Sequence, residues 1–176
     1  MIPYFYNLNG QLFSESLVEE VTHIAMAKIN SFVAYPASDI SFDGNNYYHS
    51  NELKEIPEIN SFMKKCSLKC YPLIMLHKPN SLVIKHIDDS KNKRNTVIIT
   101  PLSDNSRYLP TYFWNNNEDI DPVGTCNFSK NVSVLFNTQK IHSLINDSSE
   151  YRINLQICFN EDFETVLKLY QNGGLF

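Results

Sequence analysis

The sequence predicts a mainly β fold with flanking helices, and three observations carry that expectation. From Leu68 onward come six or more short runs rich in β-branched and aromatic residues, at 68–76, 82–87, 96–102, 111–114, 132–136 and 151–159. Each is bounded by Pro, Asn, Asp or Gly, as strands are. The last run alternates, with Arg152, Asn154 and Gln156 on one face and Tyr151, Ile153, Leu155 and Ile157 on the other. Two helical patterns precede the strands, which together suggest a β-sandwich or barrel with helices on one side.

The bulk numbers bound the answer. A chain of 176 residues reads as a single domain, 1–176, able to bury a substantial core. Hydrophobic content of 43% with 19% charged residues excludes a disordered or fibrous chain. Ten Tyr and eleven Phe lean towards β-structure. A net charge of −4 argues against nucleic acid as the partner. The basic run Lys91, Lys93 and Arg94 is short and reads as a solvated loop. The opening residues lack the charged and apolar regions of a signal peptide, and no apolar run reaches the ~20 residues of a membrane helix. Cys66, Cys70, Cys126 and Cys158 are too scattered for a disulfide framework, and Cys66-x-x-x-Cys70 is not zinc spacing. They read as free thiols in a reducing, cytoplasmic setting.

Taken in order, residues 3–8 form a candidate edge strand. Ser16, with Glu19 three residues later, has the form of a capping box opening a helix near 16–30. Residues 31–35 form a short strand that Pro36 ends. Residues 36–50 are polar and turn-rich, with Gly44-Asn45-Asn46 as a loop. A second helix, within 51–66, starts near Ser50 or just before Pro57, where proline is tolerated in a first turn. Its apolar face is Ile59, Phe62, Met63 and Cys66. The strand-rich core spans about 68–159. A final helix over 161–170 presents Phe163, Val166, Leu167 and Tyr170, and Gly173-Gly174 stops it.

Chemistry concentrates in few residues. His86 and Asp88 are two apart at a strand end, so both can point to one side. His142 follows another apolar run, and Arg152 lies on the polar face of the last strand. Two imidazoles and one carboxylate fill one face of an octahedral Fe(II) and leave three positions open. An arginine suits the far end of a chelating dicarboxylate, which its planar fork grips with two parallel hydrogen bonds. Against this stands a plain structural role: strand-end histidines, with Arg152 as an ion-pair partner of Asp88. His23 reads as solvent-facing or packed on the first helix, His49 as a surface loop residue, Asp89 as a solvated neighbour, and Arg94-Asn95 as an exposed turn pair ahead of a lining for the cavity mouth. Tyr112 and Trp114, which share a face, read as core packing ahead of substrate stacking; Asn146 either bonds a ligand or shapes a turn.

His86-x-Asp88, His142 and Arg152 at the tenth position after His142 resemble the H-x-D…H…R signature of the Fe(II)/2-oxoglutarate-dependent oxygenases. HKPNSLVIKHID, VIITPL with TYFW, and VLFNTQKIHSLIND resemble the strands around the ligands in the prolyl hydroxylase and aspartyl/asparaginyl hydroxylase-like branches. The resemblance spans roughly 68–159. It implies a double-stranded β-helix (a cupin-like jelly roll), with Fe(II) on His86, Asp88 and His142 and 2-oxoglutarate on Arg152. Many relatives carry Ser or Thr two residues after the arginine; here Asn154 stands there as a second contact. A tyrosine that relatives place ahead of the first ligand has no counterpart, and its role falls vacant or to His77 or Tyr71. The activity implied is O₂-dependent hydroxylation of an unactivated C–H bond, in a protein side chain or an amino-acid-like molecule, with release of succinate and CO₂. The alternative is a catalytically silent jelly-roll module that binds or supports. The substrate pocket would come from 36–50 and 103–125. The oligomeric state is unreadable.

Overall fold

A computed structural model describes residues 3–34, 45–48, 51–88 and 94–176. Its strands in chain order are β1 Phe5–Asn7, β2 Val33–Ala34, β3 Asn45–Tyr48, β4 Cys70–His77, β5 Ser81–His86, β6 Thr96–Pro101, β7 Thr111–Phe113, β8 Gly124–Cys126, β9 Val134–Asn137, β10 His142–Asn146 and β11 Arg152–Phe159. The helices are α1 Glu15–Ala27, α2 Asn51–Glu55, α3 Pro57–Lys65 and α4 Phe163–Gln171. The strands form two antiparallel sheets, a larger one in the order β1-β9-β6-β11-β4-β3-β2 and a smaller one in the order β5-β10-β7-β8.

Period-two alternation in the large sheet separates two apolar layers. Ile74 and Leu76 of β4, Ile98 of β6, Leu135 of β9 and the odd positions 153–159 of β11 pack with Leu17, Val21, Ile59, Phe62, Phe163 and Val166 of the helices. The opposite face, with Leu73, Met75, Val97, Ile99, Val134, Phe136 and Cys158, meets Phe113 and Cys126 of the small sheet and Phe128 beside it. β4 and β11 are thus covered on both faces, which explains why their sequences carry so few exposed polar positions. The layer between the sheets has a polar end, and the site occupies it.

Most expected elements lie where the sequence placed them, with boundaries shifted by a few residues. β1 sits at a sheet edge. The first helix is capped by Ser14 rather than Ser16: the Ser14 hydroxyl accepts from the Leu17 N–H and donates to Glu58. That helix ends at Ala27, and a 3₁₀ turn, Ile29–Ser31, follows. Both readings of the second helix hold, since α2 and α3 abut with Pro57 opening α3. β3 replaces part of the expected 36–50 loop, and β8 and β10 have no counterpart among the expected strands. His49, Asp89, Lys91, Lys93 and the segment 36–44 lie outside the described residues. No described helix is long and apolar enough to cross a membrane, and the four cysteines are free thiols.

Candidate metal and cosubstrate site

Strand pairing brings the site together from opposite halves of the chain. β5 and β10 pair antiparallel with His86 opposite His142, and β4 and β11 pair with His77 opposite Arg152. In β5 the register slips: His142 pairs with His86 but Leu144 pairs with Val83, so three steps on one strand match two on the other. This is a β-bulge, which adds one residue and re-aims the side chains beyond it. Val83 faces the interior, Ile84 and Lys85 both face outwards, and His86 returns to the interior. Strict alternation would have put His86 outside with Leu82 and Ile84.

The two imidazoles are oriented alike. His86 Nδ1 donates to the Ile84 carbonyl and His142 Nδ1 to the Lys140 carbonyl, each at 2.8 Å. A carbonyl only accepts, so each ring keeps its proton on Nδ1 and its lone pair on Nε2. Both Nε2 atoms face one oxygen of Asp88, at 3.3 Å from His86 and 3.8 Å from His142. One ligand atom from each residue lies within 4.8 Å of the others. Adjacent ligands of an octahedral ion sit roughly 3 Å apart for bonds of about 2.1 Å, so the three could hold a divalent metal once the wider of these contacts close in. A plain structural role would give the two rings no common target, whereas here both Nε2 atoms converge on one carboxylate oxygen.

Asp88 is 5% exposed and Arg94 4%. Arg94 Nη1 reaches the second Asp88 oxygen, Oδ2, at 2.9 Å, and its Nη2 donates to Gln156 Oε1 at 2.6 Å. Burial alone would raise the Asp88 carboxyl, but Arg94, with His86 and His142, outweighs it and holds the group well below the usual carboxylate range. Arg94 is therefore no exposed turn residue. It, and not Arg152, is the ion-pair partner of Asp88.

Arg152 lies 1% exposed in the same cavity, which Asn154, Gln156 and His77 also line. Its Nη1 donates to the Leu109 carbonyl at 2.9 Å and its guanidinium stacks 4.6 Å from the centre of the Phe128 ring. Its Nε is buried without a partner, as are Asn154 Oδ1 and His77 Nδ1. Among the described residues no carboxylate lies within ion-pair distance of it. Burial pushes the guanidinium down to about 9, still charged at neutral pH. A buried, unpaired cation is costly unless an anion joins it, and this one faces a cavity. Of the two candidates for the missing tyrosine, His77 lines the cavity, whereas Tyr71 packs against the apolar layer between the sheets.

The remaining candidates fall elsewhere. His23 is exposed. Asn146 shapes a turn: its amide donates to the carbonyls of His77, Lys78 and Glu150, and its oxygen accepts from Ser148. Trp114 and Tyr112 are not core residues. They sit half-buried on the outer face of the small sheet, where Lys85 Nζ lies 3.7 Å over the Trp114 ring. Of the expected pocket segment 103–125, Thr111 alone among the described residues reaches this cavity.

Acid should loosen the metal-free protein. Burial, then Arg152, holds His77 well below its ordinary value. Burial, then the neighbouring His86, holds His142 down to about 4 from 6.5, against the pull of Asp88. In both cases the unfolded chain binds the proton first, so the stability these neutral rings confer is complete above pH 6.5 and drains as pH falls, for His142 towards 4. Asp88 acts in the same direction lower on the scale, losing its contribution as pH falls through its depressed native value. Urea unfolding of the metal-free protein at successive pH values should show this decline beginning near neutrality. A flat profile down to pH 4 would contradict neutral burial of the rings.

No protein-family profile matches the sequence, and no curated protein is similar to it. Solved structures are similar in fold. A Trichoplax adhaerens prolyl hydroxylase in complex with a hypoxia inducible factor peptide superposes at TM-score 0.61 and 14% identity, covering 93% of this chain and 86% of its own. The viral collagen prolyl hydroxylase of Paramecium Bursaria Chlorella virus-1, a 2-oxoglutarate complex, gives 0.57 and 16%, covering 89% and 95%. A Burkholderia pseudomallei oxidoreductase of the 2-oxoglutarate–Fe(II) oxygenase family gives 0.57 and 9%, covering 90% and 85%. The fold is the jelly-roll double-stranded β-helix of these enzymes, as the sequence resemblance implied.

Proposed function

We propose that this protein is a 2-oxoglutarate-dependent Fe(II) dioxygenase that hydroxylates an unactivated C–H bond. The observation that carries the reading is a single cavity holding two imidazole lone pairs, a carboxylate and a buried guanidinium with no carboxylate partner among the described residues. His86, Asp88 and His142 would hold Fe(II), and Arg152 with Asn154 would take the far carboxylate of 2-oxoglutarate. Two guanidiniums against one carboxylate make the described cavity suited to a dianion. Bound together, the metal, the cosubstrate and O₂ supply the oxidising power, with succinate and CO₂ as co-products.

The chain's own part is positional. The Ile84 and Lys140 carbonyls fix each imidazole in the metal-binding tautomer. Val83, Val97, Phe136 and Leu144 wall the cavity with apolar groups, which strengthens every charged contact inside it. The peptide complex of the Trichoplax neighbour favours a protein side chain or amino-acid-like substrate.

Anaerobic titration of the metal-free protein with Fe(II), then 2-oxoglutarate, tests the reading. The expected result is a weak visible charge-transfer band that needs both additions and disappears in His142→Ala. Failure to bind Fe(II) would leave a silent jelly-roll module.

A further inference from the structure

We infer that Arg94 is a positioning residue for the metal centre: it holds the Asp88 carboxylate so that one oxygen alone faces the metal. This rests on the oxygenase reading and adds to it a residue outside the ligand signature. The two Asp88 oxygens have separate partners. Oδ1 faces both imidazoles, at 3.3 and 3.8 Å, while Oδ2 accepts from Arg94 Nη1 at 2.9 Å. The guanidinium is fixed at its other end, where Nη2 donates to Gln156 on β11 at 2.6 Å.

The backbone around the pair is pinned as well. Asp88 N–H donates to the Thr138 carbonyl at 3.1 Å, Gln139 Nε2 donates to the Asp88 carbonyl at 3.1 Å, and the Thr138 hydroxyl donates to the Arg94 carbonyl. The turn after β9 therefore grips both residues, and Gln156 ties the arginine to the large sheet. A carboxylate held in this way cannot rotate about its own axis.

The consequence is a count of coordination positions. A carboxylate that gives one oxygen leaves three positions on an octahedral ion, enough for a chelating keto acid and O₂. One that turned its second oxygen to the metal would close one of them. Arg94 thus keeps open the position that the cosubstrate needs, and it places a second cation where a dianion binds.

Co(II) absorption provides the test, because its visible bands report coordination number without turnover. Wild type, Arg94→Lys and Arg94→Gln are loaded with Co(II) and then titrated with 2-oxoglutarate. The expected result is an altered Co(II) spectrum in Arg94→Gln and at least a tenfold weaker cosubstrate affinity, a loss of about 1.4 kcal/mol or more. Arg94→Lys, which keeps the charge and one donor, should stay close to wild type in both. Should Arg94→Gln not fold, Gln156→Met removes one anchor of the guanidinium, and the same spectral change is expected at smaller amplitude. Wild-type spectra and affinities in Arg94→Gln, or in Gln156→Met where Arg94→Gln does not fold, would overturn the role of Arg94 alone. A wild-type protein that takes up no Co(II) would overturn the oxygenase reading together with it.

Discussion

Arg152→Met should weaken 2-oxoglutarate binding by roughly 100-fold or more while leaving Fe(II) binding intact. Each hydrogen bond to a charged group contributes about 1.5–3 kcal/mol, and a planar fork on a carboxylate makes two. The guanidinium touches no metal-ligand candidate, so the loss should fall on the cosubstrate. Stability should move the other way. In the ligand-free protein Arg152 is buried with its Nε unpartnered, and apolar replacement of a poorly compensated buried charge is commonly neutral or stabilising. Urea unfolding of the metal-free variant should therefore show no loss, and a gain on the order of 1 kcal/mol. Calorimetry with 2-oxoglutarate supplies the other half. Unchanged cosubstrate affinity, or a sharp fall in stability, would make Arg152 a structural residue.

Asp88→Ala should abolish metal binding and also destabilise the metal-free protein by about 3–5 kcal/mol, the scale for stranding one member of a buried ion pair. The stranded partner is Arg94, 4% exposed, which would keep Gln156 but lose its counter-charge. The double variant Asp88→Ala/Arg94→Met should regain most of that stability without regaining metal, because the buried cation is then gone too. The cycle separates ligand from ion pair. If Asp88→Ala unfolds at the wild-type urea concentration, the pair is energetically idle.

The candidate ligand set could be picked out because its residue types are few and their order along the chain is constrained. His86, Asp88, His142 and Arg152 could be picked out as text, and all four line one cavity. The two-layer packing was legible in the alternation of β11. What local pattern could not convey was where its polar row would sit. Arg152, Asn154 and Gln156 read as the polar face of one strand and lie buried between two sheets, since burial is decided by what the chain folds against. Arg94 was read as an exposed turn residue ahead of the cavity mouth for the same reason: beside Lys91 and Lys93 it looks like one more solvated charge, and only the tertiary approach of Asp88 and Gln156 draws it inside. Ser14 and Ser16 compete for the same cap on local grounds, and the long-range contact with Glu58 favours the former. β8, of three residues, is too short to carry a period, and Tyr112 and Trp114 were assigned to the core on aromatic character alone.

The bulge between Val83 and His86 gives β5 a phase as well as a composition. Each residue added to or removed from a strand turns everything beyond it through half a revolution, and here the single extra residue leaves His86 on the inner side. Ile84 faces outwards and has room to vary, and Lys85, also outward, reaches the Asn117 and Asp119 carbonyls and the Trp114 ring; the number of residues between Val83 and His86 has no such latitude. Among diverging descendants of this sequence, substitutions at 84 should accumulate freely, whereas a one-residue deletion there would present the first imidazole to solvent in an otherwise complete protein. In this stretch, selection acts on length.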